Sequence, residues 1–315
     1  MAALKNFLFV TGIVLLCLFL AWFYLRNKSL HKQHPVFQTE FFTGKTHRSE
    51  RPQMIALRGE STDFPENTLS AFAAATQVDA NIILWADVMM TKDGVVIVTR
   101  QQDLDVYSAQ NSLGSLVPLM NWEDVQKIDA GYQFQNQESQ FIFRGKGLHI
   151  LSLKELLHAF PEQRFILNLA DDSTGFEQQL VNTLDYNNNQ ENRTSRFIIT
   201  SERDKILKEV KKLAPMLLYG ASAPQLTQLM ILSNIFLESA APLESDLLIV
   251  ENISIKFQHS ERIFLNDKMI AEAHRRSMKV FAGNAISLAD EEKLIAQGVD
   301  GVITSHPTAL RPLRK

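Results

Sequence analysis

Moving a proton to or from oxygen at neutral pH favours imidazole, so the eight histidines of this chain are where hydrolytic chemistry would start. His31, His34 and His47 precede the first strand-like run, His158 and His274 sit inside helical patterns, and His259 lies in a polar connection. That leaves His149, just ahead of the apolar run from Ile150, and His306, just after the run Gly301–Thr304. Arg58 and Arg100 offer the planar fork that grips a phosphate with paired hydrogen bonds. An ion pair with Glu66 or Asp87 is an equal use for Arg58. Asp171 and Asp172 either help to hold a cation or form a helix N-terminal cap ahead of Gly175. The single cysteine, Cys17, excludes an internal disulfide framework and a zinc site built from several thiolates. With 32 basic and 35 acidic residues the net charge is −3, so no nucleic-acid partner is expected.

The elements that must position these groups begin near Gln53. From there, short apolar runs alternate with amphipathic helical patterns. Met54–Leu57, Ile82–Val88, Phe165–Leu169, Phe197–Thr200, Met216–Tyr219, Leu247–Val250, Val280–Ala282 and Gly301–Thr304 read as eight strands, each followed by a helix or by the chain end. A helix after the first strand carries Leu69, Phe72 and Ala73 on one face. This order predicts an α/β fold, a (β/α)8 TIM barrel. An open doubly wound sheet is the alternative, but no glycine-rich dinucleotide loop follows the first strand. The long interval between Val88 and Phe165 is an insertion between the second and third strands. It holds an extra strand at Val95–Val98 and a helix near Leu153–His158.

The segment before the barrel differs in kind. Asn6–Leu25 is twenty residues without a charge, which as a helix would be about 30 Å long, and it reads as a transmembrane helix. A cleaved signal peptide is the rival. The domain order expected is therefore an N-terminal flank at 1–5, a transmembrane helix at 6–25, a basic tether at 26–52, the barrel at 53–307 and a basic tail at 308–315. Arg26, Lys28 and Lys32 on the C-terminal flank place the barrel on the cytoplasmic side of a single-pass membrane protein. Residues 26–51 carry a net +4 and are suited either to anionic lipid headgroups or to a solvated tether.

Several motifs along the body carry a family resemblance. Leu57-Arg58-Gly59, Pro65-Glu66-Asn67-Thr68, Asp87 and Thr91-Lys92-Asp93-Gly94 resemble the opening of the glycerophosphodiester phosphodiesterase family. Asp129-Ala130-Gly131 and Ile150-Leu151-Ser152-Leu153-Lys154-Glu155 are similar to its insertion and re-entry, and Gly298–Thr304 with Pro307 to its last strand. The resemblance implies a TIM barrel that hydrolyses glycerophosphodiesters to glycerol 3-phosphate and an alcohol. It also implies a divalent metal, Mg²⁺ or Ca²⁺, held by acidic residues, and two histidines acting as general acid and base.

Position by position, that resemblance implies a depleted site. Leu57 stands where the family's first histidine would be, and Arg100 where the second would be, with Gln101 in place of the following aspartate. Glu66 and Asp87 remain at metal positions, but their partners are replaced by Trp85 and Ala170, and Asp172 replaces a basic residue. Leucine and alanine offer no ligand atom, tryptophan only a donor, and arginine does not give up its proton. Arg58, Arg100 and Asn284 keep the capacity to bind a glycerophosphodiester or glycerol phosphate; Asn284 matches an asparagine the family also uses. The leading expectation is a pseudoenzyme that binds a phosphorylated ligand or a partner. A divergent active phosphodiesterase using Glu66, Asp87 and relocated groups such as Asp171, Asp172 or His306 is the alternative, and a purely structural barrel is a third.

Overall fold

Successive side chains of a strand point to opposite faces, and in this chain that alternation sorts the core into two. The computed structural model describes residues 2–27, 39–43, 52–100, 119–188, 196–251, 254–257, 260–263, 265–284 and 287–310. Eight parallel strands form the sheet. They are β1 (Gln53–Leu57), β2 (Ile83–Met90), β5 (Arg164–Leu169), β6 (Phe197–Thr200), β7 (Leu218–Tyr219), β8 (Leu247–Val250), β11 (Lys279–Ala282) and β12 (Gly301–Thr304). Their order is β7-β6-β5-β2-β1-β12-β11-β8, and a parallel bridge between Gly220 and Leu247 brings the two ends together. The result is a near-closed barrel of the TIM type, with a core strand at each of the eight expected places. The fifth is shorter than its apolar run: Met216 lies outside it and is exposed.

One face of the strands fills the barrel with Ile55, Leu57, Ile83, Trp85, Ile166, Ile198, Leu218, Leu247, Ile249, Phe281 and Ile303. The other face packs against the surrounding helices, as with Met54, Leu84, Phe165, Leu167, Leu248 and Val280. Gly301 has no side chain because the interior has no room for one: a Cβ there would sit 2.6 Å from Phe281 and 2.8 Å from Ile55. The helix after β1 spans Leu69–Val78 and starts at Thr68, whose hydroxyl accepts from the Ala71 amide. It buries Ala71, Phe72 and Ala75, while Leu69, expected on that face, is exposed.

The insertion forms β3 (Val96–Val98), antiparallel to β2, and β4 (Leu151–Ser152), antiparallel to β3. Ser152 and Glu155 then close a capping box on helix Leu153–Ala159. After β8 comes a hairpin with no counterpart in the expected elements, β9 (Ser254–Phe257) and β10 (Ser260–Ile263). Its signal was the alternation of polar and apolar residues in Ser-Ile-Lys-Phe.

Ahead of the barrel lie helix α1 (Ala2–Asn27) and the short helix α2 (Glu40–Thr43). The expected single-pass membrane anchor is corrected: among the described residues no helix is long and apolar enough to cross a membrane. The expected placement of the barrel on the cytoplasmic side falls with that anchor. Residues 28–38 and 44–51, most of the expected tether, and 311–315 of the tail lie outside the described residues.

Two residues of the expected tether do pack onto the barrel. Phe41 is fully buried in the interior cluster, and Phe42 meets Phe281 edge-on at 6.1 Å. Arg164, at the start of β5, donates to the Phe41 carbonyl (3.0 Å), the Gln53 side chain (2.7 Å) and the Asn81 carbonyl (2.8 Å). Burial pushes its guanidinium down to about 10, which leaves it charged at neutral pH. These groups close the N-terminal end of the barrel.

Candidate functional site

At the opposite end of the barrel, the inward positions turn polar. Counting two residues at a time along β2 gives Ile83, Trp85, Asp87; along β5, Arg164, Ile166, Asn168; from β8 onward, Leu247, Ile249, Glu251. Pairing of β2 with β5 sets Asp87 beside Asn168. Arg58 follows β1 in a left-handed backbone (φ 59°), as does Gly59 (φ 89°). The turn is kept tight by the Arg58 amide donating to the Trp85 carbonyl and the Asn67 amide donating to the Arg58 carbonyl. A Cβ on Gly59 would lie 2.5 Å from the Ala71 backbone, so only glycine fits there.

Arg58 is the hub of the site. Its Nε donates to Asp87 Oδ2 at 2.5 Å, its Nη2 to Glu251 Oε1 at 3.2 Å, and its Nη1 lies 3.7 Å from Glu66 Oε2. Glu66 also accepts from Arg100. The other oxygen of Asp87 takes the Trp85 indole N–H at 3.1 Å and the Asn168 amide at 2.7 Å. Burial alone would raise the Asp87 carboxyl. The Arg58 charge and the hydrogen bonds from Asn168, Arg58 and Trp85 outweigh it and hold the group below the usual aspartate range. Burial likewise opposes the Arg58 charge, but Asp87, Glu251 and Glu66 together hold its pKa above the ordinary value.

Two adjoining cavities open at this mouth. A polar one of about 420 Å³ is lined by Arg58, Arg100 and Arg203 against Asp87, Glu202 and Glu251. A more apolar one of about 360 Å³ adds Trp85, Ala221, Leu226 and Ile249, and shares Asn168, Ser201, Glu202 and Glu251 with the first.

Of the residues singled out in the sequence, Arg58, Arg100, Glu66 and Asp87 are brought together. Leu57 and Trp85 are buried in the barrel interior. Asn284 follows β11, its Oδ1 accepting from the Ser305 amide at 3.2 Å, and it is not among the residues lining the two cavities. Asp171 serves its own turn, accepting from the Ser173 amide and hydroxyl and from the Met90 amide. Asp172 pairs with Arg203 at 3.2 Å. His149 bridges to Asp129 through the backbone, and His274 meets Asp300 at 2.9 Å. Glu251, Asn168, Glu202 and Arg203 were missed. Each closes or follows a barrel strand at its C-terminal end, and that position was the signal available.

The similarity of this chain to known proteins follows the same lines. A model of the glycerophosphoryl diester phosphodiesterase family matches residues 58–309. The chain belongs to the glycerophosphoryl diester phosphodiesterase family. A glycerophosphodiester phosphodiesterase of Caldanaerobacter subterraneus subsp. tengcongensis is 29% identical over 262 residues, 82% of this chain and 95% of that protein. The fold is similar to a glycerophosphoryl diester phosphodiesterase domain from Mycobacterium tuberculosis, with TM-score 0.68 and 20% identity, covering 84% of this chain and 100% of that one. It is also similar to an Oleispira antarctica phosphodiesterase solved with the product sn-glycerol-3-phosphate, with TM-score 0.61 and 21% identity, covering 83% and 96%.

Members of the glycerophosphoryl diester phosphodiesterase family generally use a divalent metal, and the donor set at this mouth does not fit one. Both Asp87 oxygens are taken by N–H donors, and the Glu66 oxygens face two guanidiniums. Leu57 and Ala170 have no ligand atom, and Trp85 contributes a proton rather than a lone pair. A cation placed among the carboxylates would face Arg58 at close range. The one group of three metal-ligating side chains within 4.8 Å of one another, among the described residues, lies elsewhere, at Glu60, Asp63 and His306.

Proposed function

We propose that this family member binds a phosphorylated small molecule at the barrel mouth and does not hydrolyse phosphodiesters there. The observation that carries this reading is the guanidinium of Arg58 bound among Asp87, Glu251 and Glu66, where the family resemblance implies a metal. Leu57 and Arg100 at the two histidine positions leave the mouth without the expected proton carrier. Glu251 and Glu66 keep side-chain exposures of 33% and 24% against 1% for Asp87. An arriving phosphate can therefore displace the two glutamates from Arg58 and Arg100 while Asp87 keeps its hold on Arg58. The apolar lobe beside Trp85 and Ile249 is suited to the carbon skeleton of the ligand. The product-bound Oleispira relative makes sn-glycerol 3-phosphate the probe of choice.

The test uses the full chain. Calorimetry with sn-glycerol 3-phosphate is expected to give saturable heat that Arg100→Ala weakens by about tenfold or more, in line with a charge-assisted bidentate contact. Absence of heat overturns the binding claim. Assays on glycerophosphocholine and glycerophosphoethanolamine with Mg²⁺ or Ca²⁺ are expected to show no turnover. Chelator-sensitive turnover abolished by Glu66→Ala would establish a divergent enzyme instead.

A further inference from the structure

The loops after β1 and β12 are fastened to each other. The Thr62 amide and hydroxyl donate to the Ser305 carbonyl at 3.2 and 3.1 Å, and the Ser61 hydroxyl reaches it at 3.4 Å. This junction brings three chemically active side chains into one place beside the mouth, and the phosphate-binding reading uses none of them. Glu60 is 1% exposed, His306 is partly buried, and Asp63 forms the outer rim. His306 Nε2 lies 3.9 Å from Glu60 Oε1 and 3.8 Å from Asp63 Oδ2.

The Glu60 carboxylate is half satisfied. Its Oε2 accepts from the Thr308 amide at 2.8 Å and the Thr308 hydroxyl at 2.7 Å, which fixes the plane of the group. Its Oε1 is buried and has no hydrogen-bond partner. A buried carboxylate oxygen normally finds a donor or a cation. Here the nearest candidate, His306 Nε2, stands beyond hydrogen-bond reach. The histidine has two carboxylate oxygens at nearly equal distance and bonds to neither.

We propose that Glu60, Asp63 and His306 form a site for a divalent first-row cation of the zinc type, held by one imidazole nitrogen and two carboxylate oxygens. Zinc–nitrogen and zinc–oxygen bonds of about 2.0–2.2 Å in a tetrahedron put neighbouring ligand atoms roughly 3.3 Å apart. The two observed separations exceed that by about half an ångström, within reach of small side-chain rotations by His306 and Asp63. The donor set suits zinc better than Mg²⁺ or Ca²⁺, which prefer oxygen alone. Thr308 acts as the outer partner that orients a ligating carboxylate. Three protein ligands, with Asp63 at the rim, leave the fourth position toward solvent. The charge balance agrees: two carboxylates meet one imidazole, and the cation supplies what they lack.

The experiment is a titration of the chelator-stripped full chain with Co²⁺, followed by its visible d–d absorption, and then displacement by Zn²⁺. One saturable site per chain is expected, with intensity typical of low coordination. Asp63→Asn and His306→Gln, at side chains 45% and 25% exposed, are expected to weaken binding by at least about tenfold each. Glu66→Gln is expected to leave the titration unchanged. Zn²⁺ should also raise the melting temperature of the parent chain and of Glu66→Gln, but not of His306→Gln. No saturable absorption, unchanged binding in His306→Gln, or loss of binding in Glu66→Gln would each overturn the proposal, the last by moving the ion to the barrel mouth.

Discussion

Asp87, which Arg58 holds, and Glu60, two residues on from Arg58, respond to pH with opposite sign. Asp87, paired with Arg58, has a folded-state pKa below its unfolded one. Its contribution is present above the ordinary aspartate range and is lost as pH falls through the depressed folded value. Replacing it strands a buried guanidinium: Asp87→Ala is expected to cost about 3–5 kcal/mol by urea denaturation at pH 7, and its acid unfolding limb should be shallower than the parent's. Glu60 has a raised folded-state pKa. Its contribution is fully present below the unfolded value and is lost as pH rises through the folded one. In chelator, Glu60→Gln should therefore gain stability relative to the parent as pH is raised from about 4 to 8; an identical pH profile for both would refute that assignment. The Arg58–Asp87 ion pair was legible in the sequence as one of two uses for the arginine. The approach of Glu60 and Asp63 to His306 was not, because it spans the whole chain and depends on how β12 closes against β1.

At the scale of elements, the alternation of strands with helices was legible because buried parallel strands are short, continuously apolar and regularly spaced in sequence. All eight barrel strands were found that way, and the run from Ile150 to Glu155 was read as the insertion's re-entry from the family resemblance. Helix α2 had no such signal. Glu40-Phe41-Phe42-Thr43 is one turn in a basic, polar stretch, and its two adjacent phenylalanines meet the open end of the barrel. Phe41 fills that end against Arg164, whose guanidinium lies 5.1 Å from the Phe41 ring. Phe41→Ala is expected to cost about 3–5 kcal/mol, read as a lowered urea midpoint with an unchanged slope. A loss under 1 kcal/mol would mean that α2 merely rests on the barrel.

Across the whole molecule, architecture and catalysis rest on different kinds of residue. The fold depends on many apolar positions, each tolerant of a similar residue. Catalysis of the kind the family resemblance implies rests on a few atoms, and Leu57, Trp85, Arg100 and Ala170 do not supply those. Family membership therefore follows from residues 58–309 as a body, while activity has to be argued one position at a time.

The closed lower end of the barrel also bears on how the protein should be handled. A fragment cut at the apparent start of the barrel, near residue 50, would leave behind Phe41 and the carbonyl that holds Arg164. Water would then reach an arginine and an apolar interior at the end farthest from the mouth. Such a fragment would be a poor stand-in for the intact chain, and silence from it in any binding measurement would report on its missing stopper. A recombinant boundary belongs upstream of Thr39.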